Sequence, residues 1–267
     1  MEKKIQILLS TMHQRDKKSL LDLNLQTDAV VINQCDEEGQ ERFVWKEREI
    51  LWINSKERGL SRSRNLALQN ANAPFVVLAD DDLQYVEDYE RIILEAFMEN
   101  IEADIIVFQV EGIERVFKKY GHKEKKVSYL SSMHVSSVEI AIKLENVRKK
   151  GIFFNELFGA GAKYRMGEEN IFLFQCLKSG LNIVYVPKKI ADLHIGKSTW
   201  FEGYNQKYFY DRGATYYEMF GSFANLMIIL FAIKKYHLYK QDSTFGQAVK
   251  NMYMGCKDYG KKTTNCL

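Results

Sequence analysis

Between residues 5 and 110 the chain alternates short apolar runs with polar or amphipathic segments, and this repetition limits the fold more than any other feature. The runs cover 5–11, 29–33, 50–53, 75–79 and 104–110. Each is short for a buried helix and several are rich in Val and Ile, so they predict strands. The segments 60–72 and 86–100 between them read as helices; in the first, Leu60, Leu66 and Ala67 fall near one face and arginines on another. Strands alternating with helices predict an α/β fold around a mainly parallel sheet covered on both faces. Further on, 138–143 predicts another strand, 168–179 a helix, and 183–186 a strand ending at Pro187. Beyond Ser198 the chain becomes helical and aromatic, from Trp200 through Tyr217.

In such sheets a ligand lies outside the carboxyl ends of the strands. Those ends carry Ser10 and Thr11, then Cys35 and Asp36, then Asp80, Asp81 and Asp82, all expected on one rim. Three successive aspartates raise one another's pKa and destabilise a compact loop. A hard divalent cation relieves that repulsion, because it prefers carboxylate oxygens. A solvated acidic turn before the next helix is the competing explanation. The segment RGLSRSRN, 58–65, favours the cation: Gly59 relaxes a loop, Ser61 or Ser63 suits a helix start, and Arg62 and Arg64 offer guanidinium groups to an anion.

A second acidic site opens the helix at Glu168 and Glu169, after the glycines 159, 161 and 167, which permit tight backbone near a ligand. Acids in a first helical turn are also explained by the macrodipole alone. His194 stands alone in its segment and reads as a structural histidine. The four cysteines lack metal-ligand spacing, and Cys35 and Cys176 read as small core residues of a protein in a reducing cytoplasm. A net charge of +3 is too small to point to nucleic acid. Seven lysines (234, 235, 240, 250, 257, 261 and 262) nevertheless crowd the C-terminal end. The apolar run 223–233 is too short to span a bilayer, which takes about 20 residues. It fits either a packed helix or an interfacial one with Lys234 and Lys235 at headgroup level. The N-terminal residues read as a first strand, with no small-residue cleavage site of a signal peptide.

In order along the chain, STMHQRD, NQCD, RGLSRSRNLAL, VVLADDD and GAGAKYRMGEEN resemble the family 2 glycosyltransferases of the GT-A fold, especially bacterial enzymes of capsular and exopolysaccharide assembly. The resemblance runs from Ile5 to about Trp200. It implies a Rossmann-like GT-A domain over 1–200 and a helical, aromatic-rich extension over 201–267. By the same resemblance Thr11 lines the nucleotide pocket, Asp36 reads the base, and Arg64, with Arg62 beside it, approaches the diphosphate. Asp80 and Asp82 match the outer positions of the DxD element, with Asp81 between them; Asp82, Asp80 and His194 form the implied site for Mn2+ or Mg2+. Glu169 is the implied catalytic base, with Glu168 as its alternative. The implied reaction is inverting transfer from a nucleotide-sugar, UDP favoured and dTDP compatible, to a glycan or isoprenoid-lipid-linked acceptor. The Q-x-x-R-W element of processive synthases is missing, so one sugar is expected per encounter. The expected location is cytoplasmic, with peripheral contact at the inner membrane face. A catalytically inactive scaffold that binds nucleotide or glycan is the alternative from a different class.

Overall fold

The computed structural model describes residues 4–196 and 203–264. Trp200, Phe201 and Cys266 lie outside the described residues. The first elements are β1 (Ile5–Met12), α1 (Lys18–Asp22), β2 (Asp28–Gln34), β3 (Gly39–Trp45), β4 (Arg48–Ser55), α2 (Leu60–Asn70) and β5 (Phe75–Asp80). Next come β6 (Leu83–Tyr85), α3 (Tyr89–Glu99), β7 (Ile105–Gly112), β8 (Lys125–Lys126), α4 (Tyr129–Ser132), β9 (Ile140–Lys143) and α5 (Leu144–Lys149). The chain continues with α6 (Glu168–Lys178), β10 (Ile183–Leu193), α7 (Gln206–Phe220), α8 (Ala224–Tyr239) and α9 (Phe245–Thr264).

The strands form one sheet in the order β3-β4-β2-β1-β5-β9-β7-β10-β6, with β8 on the flank of β10. β4, β2, β1 and β5 run parallel, as do β7 and β10. β9 is antiparallel to both of its neighbours, β5 and β7. Strand alternation sorts the side chains to two faces. Ile5, Ile7 and Leu9 join Ala29 and Val31 in a core under α1 and α3. Leu8, Val30 and Ile32 join the opposite core under α2, α5 and α6. Burial on both faces explains why these strands read as unbroken apolar runs.

Besides short elements such as α1, β6, β8 and α5, two strands depart from the sequence expectation. β3 is an edge strand with mostly exposed side chains, joined to β4 through Lys46 and Glu47, both at positive φ. β10 continues past Pro187 to Leu193, and its pairing with β7 shifts register between Tyr185 and Lys189 and again before Ala191. A proline is tolerated at such an irregularity because the ladder there does not need its missing N–H. Cys176 is buried as expected, whereas Cys35 lies beyond the end of β2 and is only partly covered.

The C-terminal helices build their own core around Phe209, Tyr216, Ile228, Tyr239 and Met252. They also share a cluster with the main domain, in which Ala214, Met219 and Tyr259 pack on Phe158, Tyr164 and Ile171. α7 and α9 meet backbone to backbone. A Cβ on Gly213 would lie 1.8 Å from the carbonyl oxygen of Met252, and one on Gly255 would lie 1.8 Å from that of Tyr210. Only glycine fits at these two crossings.

Candidate active site

A cleft of about 1110 Å³ opens at the carboxyl ends of β1, β2 and β5. Ser10, Thr11, Gln34, Arg58 and Asp80–Asp82 line one side, and Arg165, Lys207, Tyr208 and Asp211 the other. Its size is that of a site for a sizeable small-molecule ligand.

Parallel pairing of β1 with β5 sets Ser10 opposite Asp80 and so brings Thr11 beside the aspartates. The Thr11 hydroxyl donates to Asp81, and the Gln14 amide donates to the same carboxylate oxygen at 3.3 Å. Asp80 accepts from Arg64 Nη2 at 3.2 and 3.3 Å on its two oxygens. Asp82 differs: its Oδ1 is buried and has no hydrogen-bond partner. Burial, then the charges of Asp80 and Asp81, push its carboxyl up to about 7, opposed by His194. His194 is near because β6 pairs antiparallel with β10, and the His194 N–H donates to the Asp82 carbonyl at 2.9 Å. The imidazole itself turns to Glu114, with Nδ1 3.0 Å from Oε1.

Among the described residues no group of three or more His, Cys, Asp or Glu side chains is arranged to hold a metal ion. The donors nevertheless fit a hard cation that takes one or two carboxylates and completes its shell with water and phosphate oxygens. Asp82 lines the cleft and its Oδ1 has no hydrogen-bond partner, so it is the carboxylate oxygen that would be free to take that role.

Arg64 is 1% exposed and does not line the cleft. Its Nη2 meets Asp80, and its Nη1 meets Glu168 at 2.9 Å, so one guanidinium joins both acidic sites. Glu168 and Glu169 likewise do not line the cleft; Glu168 is buried and Glu169 half-buried, and Gly159 packs on Glu168, whose Cδ would be 3.1 Å from an added Cβ. Glu169 shares a hydrogen bond with Glu168. Desolvation, then the charge of Glu168, raise its proton affinity, and Arg64 opposes them. Arg62 points away from the cleft, with its Nε 3.3 Å from Glu156. Asp36 stands at the rim, where it pairs at 2.6 Å with Arg58.

The cleft thus gathers Thr11, Asp80, Asp81, Asp82 and His194 from the residues singled out by sequence, and leaves Asp36, Arg62, Arg64, Glu168 and Glu169 outside its lining. Arg58 escaped sequence reading. Its guanidinium donates to the carbonyls of Cys35 at 2.8 Å, Ser55 at 3.1 Å and Lys56 at 2.8 Å, and thereby ties the ends of β2 and β4. Asp211 also escaped. It is buried in the aromatic helix α7, where it accepts from Lys207 and, at 3.1 Å, from the Arg165 N–H.

The local geometry shows what several motif residues contact, with Gly59 and Gly161 in the cleft lining. Gly59 is the N-cap of α2, without a side-chain cap. Ser61 donates instead to the Phe158 carbonyl at 2.7 Å, and Ser63 to the Ser10 hydroxyl at 2.8 Å. Gly161 lets the 159–161 loop pass Gly59, whose Cα would be 3.2 Å from an added Cβ. Gly167 makes room for Thr215. These glycines permit protein-to-protein approach that shapes the cleft. Of the aromatic residues in α7, Tyr208 faces the cleft while Phe209 and Tyr216 are core.

Comparison with known proteins gives this arrangement a family. The model of glycosyl transferase family 2 matches residues 18–169, and the chain belongs to that family. It is a glycosyltransferase of the GT-A fold. Among solved structures, residues 1–349 of TarS from S. aureus in complex with UDP superpose with a TM-score of 0.62 at 13% identity. That match covers 90% of this chain and 73% of the other. The same TarS region in complex with UDP-GlcNAc gives 0.61 at 13% identity, covering 90% and 74%. No curated protein matches the sequence.

Proposed function

We propose that the protein transfers one sugar per encounter, with inversion, from a UDP-sugar to a hydroxyl of a glycan or lipid-linked acceptor in bacterial surface polysaccharide synthesis. The observation that carries this reading is the buried, unpartnered oxygen of Asp82 in a cleft at the strand ends. The UDP and UDP-GlcNAc complexes of TarS, which shares the fold, support a uridine nucleotide as the donor.

In this reading Thr11, Gln34 and Arg58 border the nucleotide, while Asp36 acts at the rim through its ion pair with Arg58. Asp82, with Asp80 behind it, would hold Mn2+ or Mg2+, which supplies Lewis-acid stabilisation of the diphosphate. The acceptor oxygen forms a bond to the anomeric carbon as the bond from that carbon to the diphosphate oxygen breaks. The acceptor proton passes to a carboxylate. Glu169 is assigned that task because its proton affinity is raised, as a base working near neutral pH requires. Asp211 is the second reading, because it lines the cleft whereas Glu169 does not.

The test is binding and turnover of UDP-, dTDP- and GDP-sugars with Mn2+, with Mg2+ and with chelator, repeated on Asp82→Ala. Metal-dependent binding of one nucleotide class, lost in Asp82→Ala, supports the reading. A folded protein that binds none of them sinks it in favour of an inactive scaffold.

A further inference from the structure

The C-terminal helices present a surface that sugar transfer leaves unused. α8 is apolar almost all round. Its inner side, with Ala224, Ile228, Ala232 and Tyr239, is buried against α7 and α9. Its outer side carries Phe223, Leu226, Leu230 and Ile233, between 49% and 70% exposed. Spacings of three, four and three residues place them on one stripe opposite the buried one. A helix apolar on both sides needs cover on both, and a stripe of this kind on a folded surface marks a docking site.

The neighbouring helix adds charge. α9 exposes Lys250, Tyr253, Met254, Lys257 and Lys261 along one face. Tyr253, Lys257 and Lys261 share a groove of about 420 Å³ with Asn225 at the start of α8, so the two faces adjoin. Between 224 and 261 there are six lysines and two acids, Asp242 and Asp258. Asp258 is already engaged by Lys163 and Tyr164. Lys234 and Lys235 also contribute to the positive field that, after burial, lowers the pKa of His134.

Charge selects the occupant. A second copy docked on this face would bring like lysines together. An anionic lipid surface neutralises them, at roughly 1 kcal/mol for each lysine near the headgroups. In-plane docking fits better than spanning. The stretch Gln206–Tyr239 is long and apolar enough to cross a membrane by length and composition. Its first half, however, holds the buried Asp211 and lines the cleft. The 16 residues of α8 alone rise about 24 Å, short of the ~30 Å hydrocarbon core.

We propose that the α8–α9 face docks in the plane of an anionic bilayer, with the stripe of Phe223, Leu226, Leu230 and Ile233 at the headgroup–acyl boundary and the lysines of both helices on lipid phosphates. The test is cosedimentation of the full chain with vesicles of phosphatidylcholine alone and of phosphatidylcholine mixed with phosphatidylglycerol. Sedimentation velocity gives the oligomeric state without vesicles. Two variants accompany the native chain, Leu226→Gln/Leu230→Gln/Ile233→Gln and Lys250→Glu/Lys257→Glu/Lys261→Glu. All six positions are exposed, and circular dichroism checks their folding. The expected result is binding to the mixed vesicles only, weakened about tenfold or more by either variant and by added salt. Equal binding to both vesicle types, or none to either, overturns the proposal. So does a native dimer that the glutamine variant dissociates, which would assign the stripe to a second copy.

Discussion

Arg64 touches Asp80 with one guanidinium nitrogen and Glu168 with the other, and it is almost wholly buried between them. The carboxylate that ends β5 and the one that starts α6 therefore share a single cation. Removing that cation leaves both carboxylates in a site that lacks another side-chain ion pair for either among the described residues. Breaking a buried pair in this way costs about 3–5 kcal/mol. Arg64→Ala should lose that much stability in urea denaturation, together with activity. Arg64→Lys should recover only part, because an ammonium lacks the planar fork that reaches two carboxylates at once. Full stability in both variants would show that the bridge contributes nothing.

Asp82 should trade stability against function. Its carboxyl is raised from 3.8 to about 7 by burial and by Asp80 and Asp81. The folded state thus holds a proton that the unfolded state releases. The stability arising from this group is complete below about pH 4 and is lost as the pH rises through about 7. Asp82→Asn should flatten that slope in thermal melts of metal-free protein and raise the midpoint near pH 8. The same variant should lose metal-dependent donor binding. Mn2+ should stabilise the native chain more at pH 8 than at pH 5, because protons compete for the same oxygen.

The parallel strands were legible because burial on both faces leaves a continuous apolar run. β3 was not. Its side chains are mostly exposed, and its turn uses Lys46 and Glu47 where a hairpin signal would be Asn-Gly or Asp-Gly. The aspartates were legible because three charges in a row at a strand end demand a reason. The task of Arg64 was not, because its partner Glu168 lies 104 positions away and nothing local marks the guanidinium as buried. Asp211 was hidden among aromatic residues that read as packing, and its contact with the cleft depends on how α7 crosses the domain.

The α7–α9 crossing should be intolerant of a single methyl. Gly213→Ala and Gly255→Ala each place a Cβ 1.8 Å from a facing carbonyl oxygen, so the helices must separate. Overpacking of this kind costs about 1–3 kcal/mol, and more where backbone has to move. Each variant should lower the thermal midpoint even though alanine is the better helix former. Because α7 carries Tyr208 and Asp211 into the cleft, acceptor KM should rise while donor binding holds. Gly246→Ala, with nothing near its added Cβ, is the control and should leave both unchanged.

The identity of the base separates most cleanly through amide substitutions that preserve shape. Glu169 has the raised proton affinity but does not line the cleft; Asp211 lies in the lining but already accepts from Lys207 and from the Arg165 backbone. If Glu169 takes the proton, Glu169→Gln should lower kcat by about 10²–10⁴-fold with donor affinity unchanged. Its loss should also remove the acid limb of the pH–rate profile, the fall in rate as that carboxylate takes up a proton, leaving the profile flatter on the acid side. Asp211→Asn should then act mainly on stability and acceptor KM, because it weakens the tie between α7 and the Arg165 segment. The reverse pattern, a collapse of kcat in Asp211→Asn beside near-normal turnover in Glu169→Gln, would move the base to α7 and leave Glu169 as part of the buried support of Arg64.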